Sequence, residues 1–274
     1  MDAGPAADTG IANLQPADGE HPVDQLKMVI FDLDDTLAPS KTAIDPSMAG
    51  LLLRLLEKVD VCIISGARFE QYQGQVLEPL GNSDALRGLH LMPTCGTRYY
   101  RWQDHSWTQI YAQDLTPDQK DEIIDALTRG AKALGLWESD TWGPVIEDRG
   151  SQITFSALGQ SAPIDAKRQW DPNGTKKEEL RAYVAAQLPD LEVRGGGSTS
   201  VDVTRKGIDK AYGVAHLQQQ LNLSLSQLLF VGDRLDEGGN DYPVKALGVE
   251  CVPVASWLDT AAFIEHLLVR LANR

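Results

Sequence analysis

Cysteine, positive charge and long apolar runs are what this chain has least of. Its 274 residues include three cysteines, Cys62, Cys95 and Cys251, and no Cys-x-x-Cys pair. That excludes a disulfide framework and a zinc ribbon. Lys and Arg number 25 against 39 Asp and Glu, a net charge of −14. Binding a phosphate backbone takes clustered cations, so nucleic acid is excluded as the partner. An anionic membrane surface is disfavoured on the same ground. No apolar run approaches the roughly 18–20 residues of a membrane span. No charged start followed by an apolar stretch marks a signal peptide, so the expected compartment is the cytoplasm. The histidines show no metal-ligand spacing. The glycine-rich run 195–200 lacks the Gly-Lys-Ser ending of a P-loop and reads as a hairpin turn.

What is present is ample apolar content, 42%, in alternating patterns. Residues 1–24, rich in Ala, Gly, Pro and Asp, are expected to be a disordered leader. Met28–Phe31, Val59–Ile64, Leu228–Val231 and Val249–Val254 are short apolar runs, each read as a buried parallel strand. Helical spacing covers 46–59, 69–80 and 258–271, so strands alternate with helices in a parallel α/β core. The middle differs. Two hairpin patterns, at 99–111 and 191–204, flank helices at 117–134 and 176–188 and a strand pair within 145–158. The expected organisation is a core at 25–100 and 205–274 with a cap domain at 101–204. The tryptophans at 102, 107, 137, 142 and 170 are expected to fill the cap core.

The chemistry-bearing residues follow the strands. Asp32-Leu33-Asp34-Asp35-Thr36 closes the first one. In extended backbone, side chains at i and i+2 share a side, so Asp32 and Asp34 can face one site at the strand end. Two such carboxylates repel each other unless a cation sits between them. The reading is one nucleophile, one acid/base and a Mg²⁺. After the third strand, Asp233 can complete that metal site, because Mg²⁺ takes hard oxygen ligands. Gly238-Gly239 permit a tight turn that returns Asn240 and Asp241 to the same mouth. Ser65 ends the second strand and can donate to a phosphate oxygen, with Gly66 permitting close approach. Lys210 can neutralise phosphate charge.

An Asp-x-Asp-x-Thr motif, then a strand-end Ser, a Lys and a Gly-Asp followed by Asn-Asp, in this order, resembles the haloacid dehalogenase superfamily. The insertion between Ser65 and Lys210 resembles that superfamily's second cap class. Phe31–Leu37, Phe69-Glu70, Ser200–Val203, Gly207–Lys210 and Gly238–Asp241 resemble the alpha-phosphomannomutases. The fold implied is a Rossmann-like α/β core with an inserted α/β cap carrying an antiparallel sheet. By this resemblance Asp32 forms an aspartyl-phosphate and Asp34 is the general acid and base. Mg²⁺ lies on Asp32, the Asp34 carbonyl and Asp233, with Asn240 and Asp241 supporting the metal loop. Ser65 and Lys210 hold the phosphoryl oxygens. Thr36, Lys41, Gly66, Arg168, Ser200 and Asp202 contact the phosphorylated sugar.

Three departures stand out against the mutase pattern. Asp35 and Ser65 stand where the mutases have Gly, and Gln160 stands where they have a clamping Arg. Arg offers a charged fork and Gln one neutral amide. The expected function is therefore a Mg²⁺-dependent phosphatase of a phosphorylated sugar. Phosphomannomutase activity is the alternative, and a non-catalytic phosphosugar-binding protein the alternative of another class. A homodimer is left open.

Overall fold

The computed structural model describes residues 23–274; all but the last two residues of the expected leader lie outside them. Eleven strands are present among these residues. They are β1 Met28–Phe31, β2 Asp60–Ile64, β3 Leu89–Met92, β4 Arg98–Gln103, β5 Ser106–Ala112, β6 Ile146–Asp148, β7 Gln152–Ser156, β8 Leu191–Gly195, β9 Ser200–Arg205, β10 Leu228–Gly232 and β11 Glu250–Pro253. Seven form one sheet in the order β11-β10-β1-β2-β3-β4-β5, and four form a second in the order β6-β7-β9-β8. Strands β11 to β3 of the large sheet are parallel, while β4 and β5 run antiparallel at its edge. The small sheet is antiparallel throughout. This is the expected α/β core with an antiparallel cap.

β1 lies between β10 and β2 and is fully buried, as is every residue of β3 and β10. Helices on both faces explain why β1 and β10 read as continuous apolar runs rather than alternating ones. The helix Pro46–Leu56 shows how the sequence sets an element. Asp45 caps it through the Ser47 N–H, Pro46 opens it, and Leu51, Leu52, Leu55 and Leu56 face inward. Helices Pro117–Ala133 and Thr175–Gln187 cover the small sheet, with Ile123, Leu127, Leu180 and Val184 packed on Phe155 and Val203.

Two expectations are corrected. The hairpin β4–β5, placed in the cap from residue 101 onward, extends the large sheet through His90–Arg101 and Leu91–Tyr100 pairing. Phe69 stacks on Tyr100 with ring centroids 4.0 Å apart. Of the five tryptophans, Trp170 packs against the cap core as expected, but Trp102 and Trp107 pair on that core hairpin, and Trp137 and Trp142 are exposed. All three cysteines are free. Among the described residues no helix is long and apolar enough to cross a membrane.

Candidate active site

The parallel register sets Phe31 beside Val231 and Ile63, so the residues that follow β1, β10 and β2 emerge together. The Asp32 N–H donates to the Val231 carbonyl at 3.0 Å. One end of the sheet therefore presents Asp32, Asp233 and Ser65. Lys210 arrives from across the chain, as the first residue of the helix Lys210–Leu221. Its preceding Asp209 caps that helix through the Tyr212 N–H at 2.9 Å.

Lys210 is 1% exposed. Its Nζ donates to Asp32 Oδ1 at 2.5 Å and to Asp241 Oδ1 at 2.6 Å. Burial works against its charge, but the two carboxylates outweigh that and hold the ammonium above its ordinary range. Burial also pushes Asp32 up, to about 7; Lys210 opposes the shift and Asp241 adds to it. Asp233 is raised by burial and then by Asp241. Oxygens of Asp32, Asp233 and Asp241 lie within 4.8 Å of one another. Three carboxylates against one ammonium leave a surplus of negative charge in a poorly solvated place. A hard divalent cation fits this all-oxygen donor set and would remove the surplus. Thr36 Oγ1 lies 3.4 Å from Asp32 Oδ2 and 3.5 Å from Asp233 Oδ1, donating toward them.

The loop carrying Asp241 folds back as its glycines require. Gly238 has φ +92°, and a Cβ on Gly239 would collide with the Arg234 carbonyl. Asp241 is fully buried and also accepts from the Arg234 N–H at 3.0 Å. Asn240, expected beside it, is exposed. The turn that sends Asp241 inward leaves the preceding side chain facing outward.

Asp34 is half-buried, and its Oδ1 accepts from the Lys41 N–H at 2.6 Å. Asp35 takes φ +63°, the left-handed conformation that Gly adopts freely. Asp tolerates it better than most residues, and here its carboxylate accepts from the Ser40 N–H at 3.1 Å. Ser65 is buried, and its Oγ accepts from the Ala67 N–H at 3.1 Å, holding the Ser65–Gly66 turn.

The cap supplies the roof. Ser200 Oγ pairs with Ser156 Oγ at 2.9 Å, and Gln160 Nε2 donates to Ser156 Oγ at 3.0 Å. Asp202 Oδ1 accepts from Thr154 at 2.7 Å; burial pushes its carboxyl up and nearby Arg149 opposes that. Arg168 is exposed. Its neighbour Lys167 is half-buried, donates to the Gln160 carbonyl at 3.2 Å, and is pushed down by burial and then by Lys41 close beside it. Lys41 belongs to the core, so two ammonium groups meet where cap and core face each other.

Sequence reasoning missed three contributors. Lys167 lies one position from the residue it chose. Arg149 donates to the Gly66 carbonyl at 3.2 Å while pairing with Glu147 at 2.7 Å, and Glu147 also holds Arg68 of the core at 3.0 Å. The charged run Glu147-Asp148-Arg149 at the end of β6 was a readable signal. Gln75, inside an expected helix, carried none.

A family model described as eukaryotic phosphomannomutase matches residues 48–268. That span opens after Asp32–Thr36, so the assignment of this motif rests on the geometry above. Phosphomannomutase 1 of Homo sapiens is 25% identical over 226 residues, 80% of this chain and 83% of that protein. The phosphomannomutase of Saccharomyces cerevisiae is 25% identical over 227 residues, 79% of this chain and 84% of that protein. Among solved structures, a haloacid dehalogenase-like hydrolase from Bacteroides thetaiotaomicron aligns with a TM-score of 0.58 at 14% identity, over 88% of this chain and 99% of that one. An N-terminally truncated Plasmodium falciparum IMP-nucleotidase aligns with a TM-score of 0.67 at 17% identity, over 90% and 71%. At such identities the structural likeness speaks for the fold alone.

Proposed function

The chain belongs to the eukaryotic phosphomannomutase family, and from that premise we propose that it is a magnesium-dependent phosphosugar mutase working through an aspartyl-phosphate on Asp32. Membership makes it an enzyme, which sets aside the non-catalytic alternative. The phosphatase expectation yields to the mutase because the curated relatives above carry the mutase name.

In this reading an Asp32 carboxylate oxygen attacks one phosphorus of a sugar bisphosphate, a P–O bond forms to Asp32, and the bond from phosphorus to the sugar oxygen breaks, leaving a sugar monophosphate. Asp34 delivers its proton to the departing oxygen. In return the free hydroxyl of a sugar monophosphate attacks the aspartyl-phosphate, the P–O bond to Asp32 breaks, and Asp34 takes up the hydroxyl proton, which regenerates the bisphosphate. Lys210 and Ser65 hold the phosphoryl oxygens. Asp32, Asp233 and the Asp34 carbonyl, with Asp241 in support, would hold a Mg²⁺, which would supply charge neutralisation of the transferring group. Gly66 and Thr36 line the phosphoryl pocket, and Ser200 and Asp202 take sugar hydroxyls.

The observation that carries the mutase over the phosphatase is the meeting of Lys41 and Lys167. Neither forms an ion pair with a carboxylate among the described residues. Two like charges held together call for an anion; the Lys41 N–H reaches Asp34, whereas Lys210 is bound to Asp32 and Asp241. A bisphosphate intermediate needs such a second anion site. Hydrolysis of a monophosphate does not.

One observation favours hydrolysis as a second reading. The Gln160 side chain, at the clamping position, is already satisfied by Ser156. The test is mannose 1-phosphate assayed at once for mannose 6-phosphate and for inorganic phosphate, with a bisphosphate activator present. Isomerisation is expected to exceed phosphate release in wild type and to vanish in Asp32→Asn. Gln160→Arg is expected to raise the isomerised share further, since a charge-assisted hydrogen bond contributes about 1.5–3 kcal/mol. Release of phosphate with no isomerisation would overturn the mutase and leave the phosphatase.

A further inference from the structure

Gln75 is 6% exposed, buried beside the acid/base Asp34. It does not sit in an ordinary helix. The helical segment that begins at Phe69 widens into a π turn over Gln73–Leu77 before closing at Glu78–Leu80. Such one-turn insertions rotate a side chain out of helical register and concentrate at functional positions.

Three bonds make Gln75 a bracket. Its Nε2 donates to Asp34 Oδ1 at 3.3 Å and to the Thr42 carbonyl at 3.0 Å. Its own carbonyl accepts from the Ile44 N–H at 2.8 Å. The amide orientation is unambiguous, because both partners of Nε2 are acceptors and only the NH₂ end can serve them. Its other end, Oε1, is buried with no hydrogen-bond partner. A buried acceptor left open is uncommon in a folded protein, and each instance asks for a reason.

From these contacts we infer that Gln75 is a positioning residue for Asp34. Together with the Lys41 N–H, it engages Asp34 Oδ1 and thereby turns the second oxygen, Oδ2, toward the leaving group. Its unpaired Oε1 accepts from a hydroxyl of the bound sugar, so that substrate and acid are aligned by one amide. The chain 39–44, which carries Lys41, is tied to the same residue through Thr42 and Ile44. The π turn is what brings the Gln75 amide to Asp34 while its carbonyl leaves the helix for Ile44. This inference rests on the reading of Asp34 as the acid that protonates a sugar oxygen.

Leaving-group chemistry separates a positioning role from a structural one. A sugar alkoxide needs a proton to depart; p-nitrophenolate does not. Gln75→Met keeps the length and apolar volume of the side chain and removes both the donor and the open acceptor. Its turnover number for mannose 1-phosphate is expected to fall about tenfold or more, with release of p-nitrophenol from p-nitrophenyl phosphate kept within about twofold. Gln75→Glu, which keeps an acceptor and loses the donor, is expected to show the same selective loss. It carries the test should Met fail to fold. Equal losses on both substrates would reduce Gln75 to a packing role and overturn the inference, as would no loss on either. Wild-type turnover of the two substrates tests the phosphoryl-transfer reading separately, because the inference is read only from the ratio between variant and wild type.

Discussion

The two walls of the site are built differently. On the core wall, Asp32, Lys210 and Asp241 are almost wholly buried, and their bonds are 2.5–2.6 Å long. On the cap wall, Lys167, Gln160, Ser200 and Asp202 are half-buried, and Lys41, which meets them from the core, is exposed. A phosphoryl group is the same on every substrate and can be gripped by a fixed, desolvated charge cluster. On the proposed mutase reading, a sugar that presents first one phosphate and then the other must be held by groups that water can still reach, or it could not turn over and leave. The comparison predicts that removing a charge from the core wall costs both fold and chemistry, whereas removing one from the cap wall costs affinity alone.

Lys210→Met should give the largest effect. It leaves Asp32 and Asp241 buried without their cation, and breaking a buried pair costs about 3–5 kcal/mol. The variant is expected to melt well below wild type in the presence of chelator and to lose about a hundredfold or more in turnover. Thermal unfolding and a steady-state assay check this. A variant as stable as wild type would show the core wall to be no more demanding than the cap.

Next comes the cap. Lys167→Ala is expected to raise KM for a sugar phosphate about tenfold, the equivalent of one charge-assisted contact, with melting unchanged. Arg168→Ala should leave KM within about twofold, because Arg168 is exposed and Lys167 is the one that faces Lys41. The reverse pattern would restore the assignment made from resemblance.

The same two walls differ in how readable they were. Asp32, Asp34 and Asp233 sit within three residues of apolar strand ends and Asp241 follows the Gly238-Gly239 turn, so local sequence announces them, and β1 and β10 then pair to bring them together. The cap wall is assembled by antiparallel register, Ser156 opposite Ser200 and Thr154 opposite Asp202. Nothing local states that register. The helix Ile164–Trp170 is only seven residues long, so its periodicity was too short to say which of Lys167 and Arg168 turns inward. The hairpin β4–β5 was misplaced for a related reason. Alternation identifies a hairpin but not the sheet edge it joins, and here β3, a four-residue strand not foreseen, provides that edge. Gln75 was invisible because a π turn leaves no mark in a sequence read at 3.6 residues per turn.

The smallest expected effect concerns pH and tests whether the core wall is waiting for a cation. Burial first, and Asp241 second, lift Asp32 from an ordinary carboxyl value to about 7 in the folded protein, against the pull of Lys210. Between the unfolded value of 3.8 and 7 the native state therefore binds more protons than the unfolded chain. By linkage the contribution of this group to stability is full below the unfolded value and is lost as pH rises through the folded one. Mg²⁺ binds the carboxylate form, so it competes with that proton. The gain in melting temperature on adding Mg²⁺ should be larger at pH 8 than at pH 5.5. A difference of about 2–4 °C is expected, the shift that roughly 1 kcal/mol produces in a domain of 150–250 residues. Asp32→Asn has no such proton to displace, and its Mg²⁺-dependent gain should be small and the same at both pH values. A wild-type gain independent of pH would mean that the Lys210 ammonium already neutralises Asp32 in the free enzyme. Mg²⁺ would then be held chiefly by Asp233, and the core wall would be less strained than its three carboxylates imply.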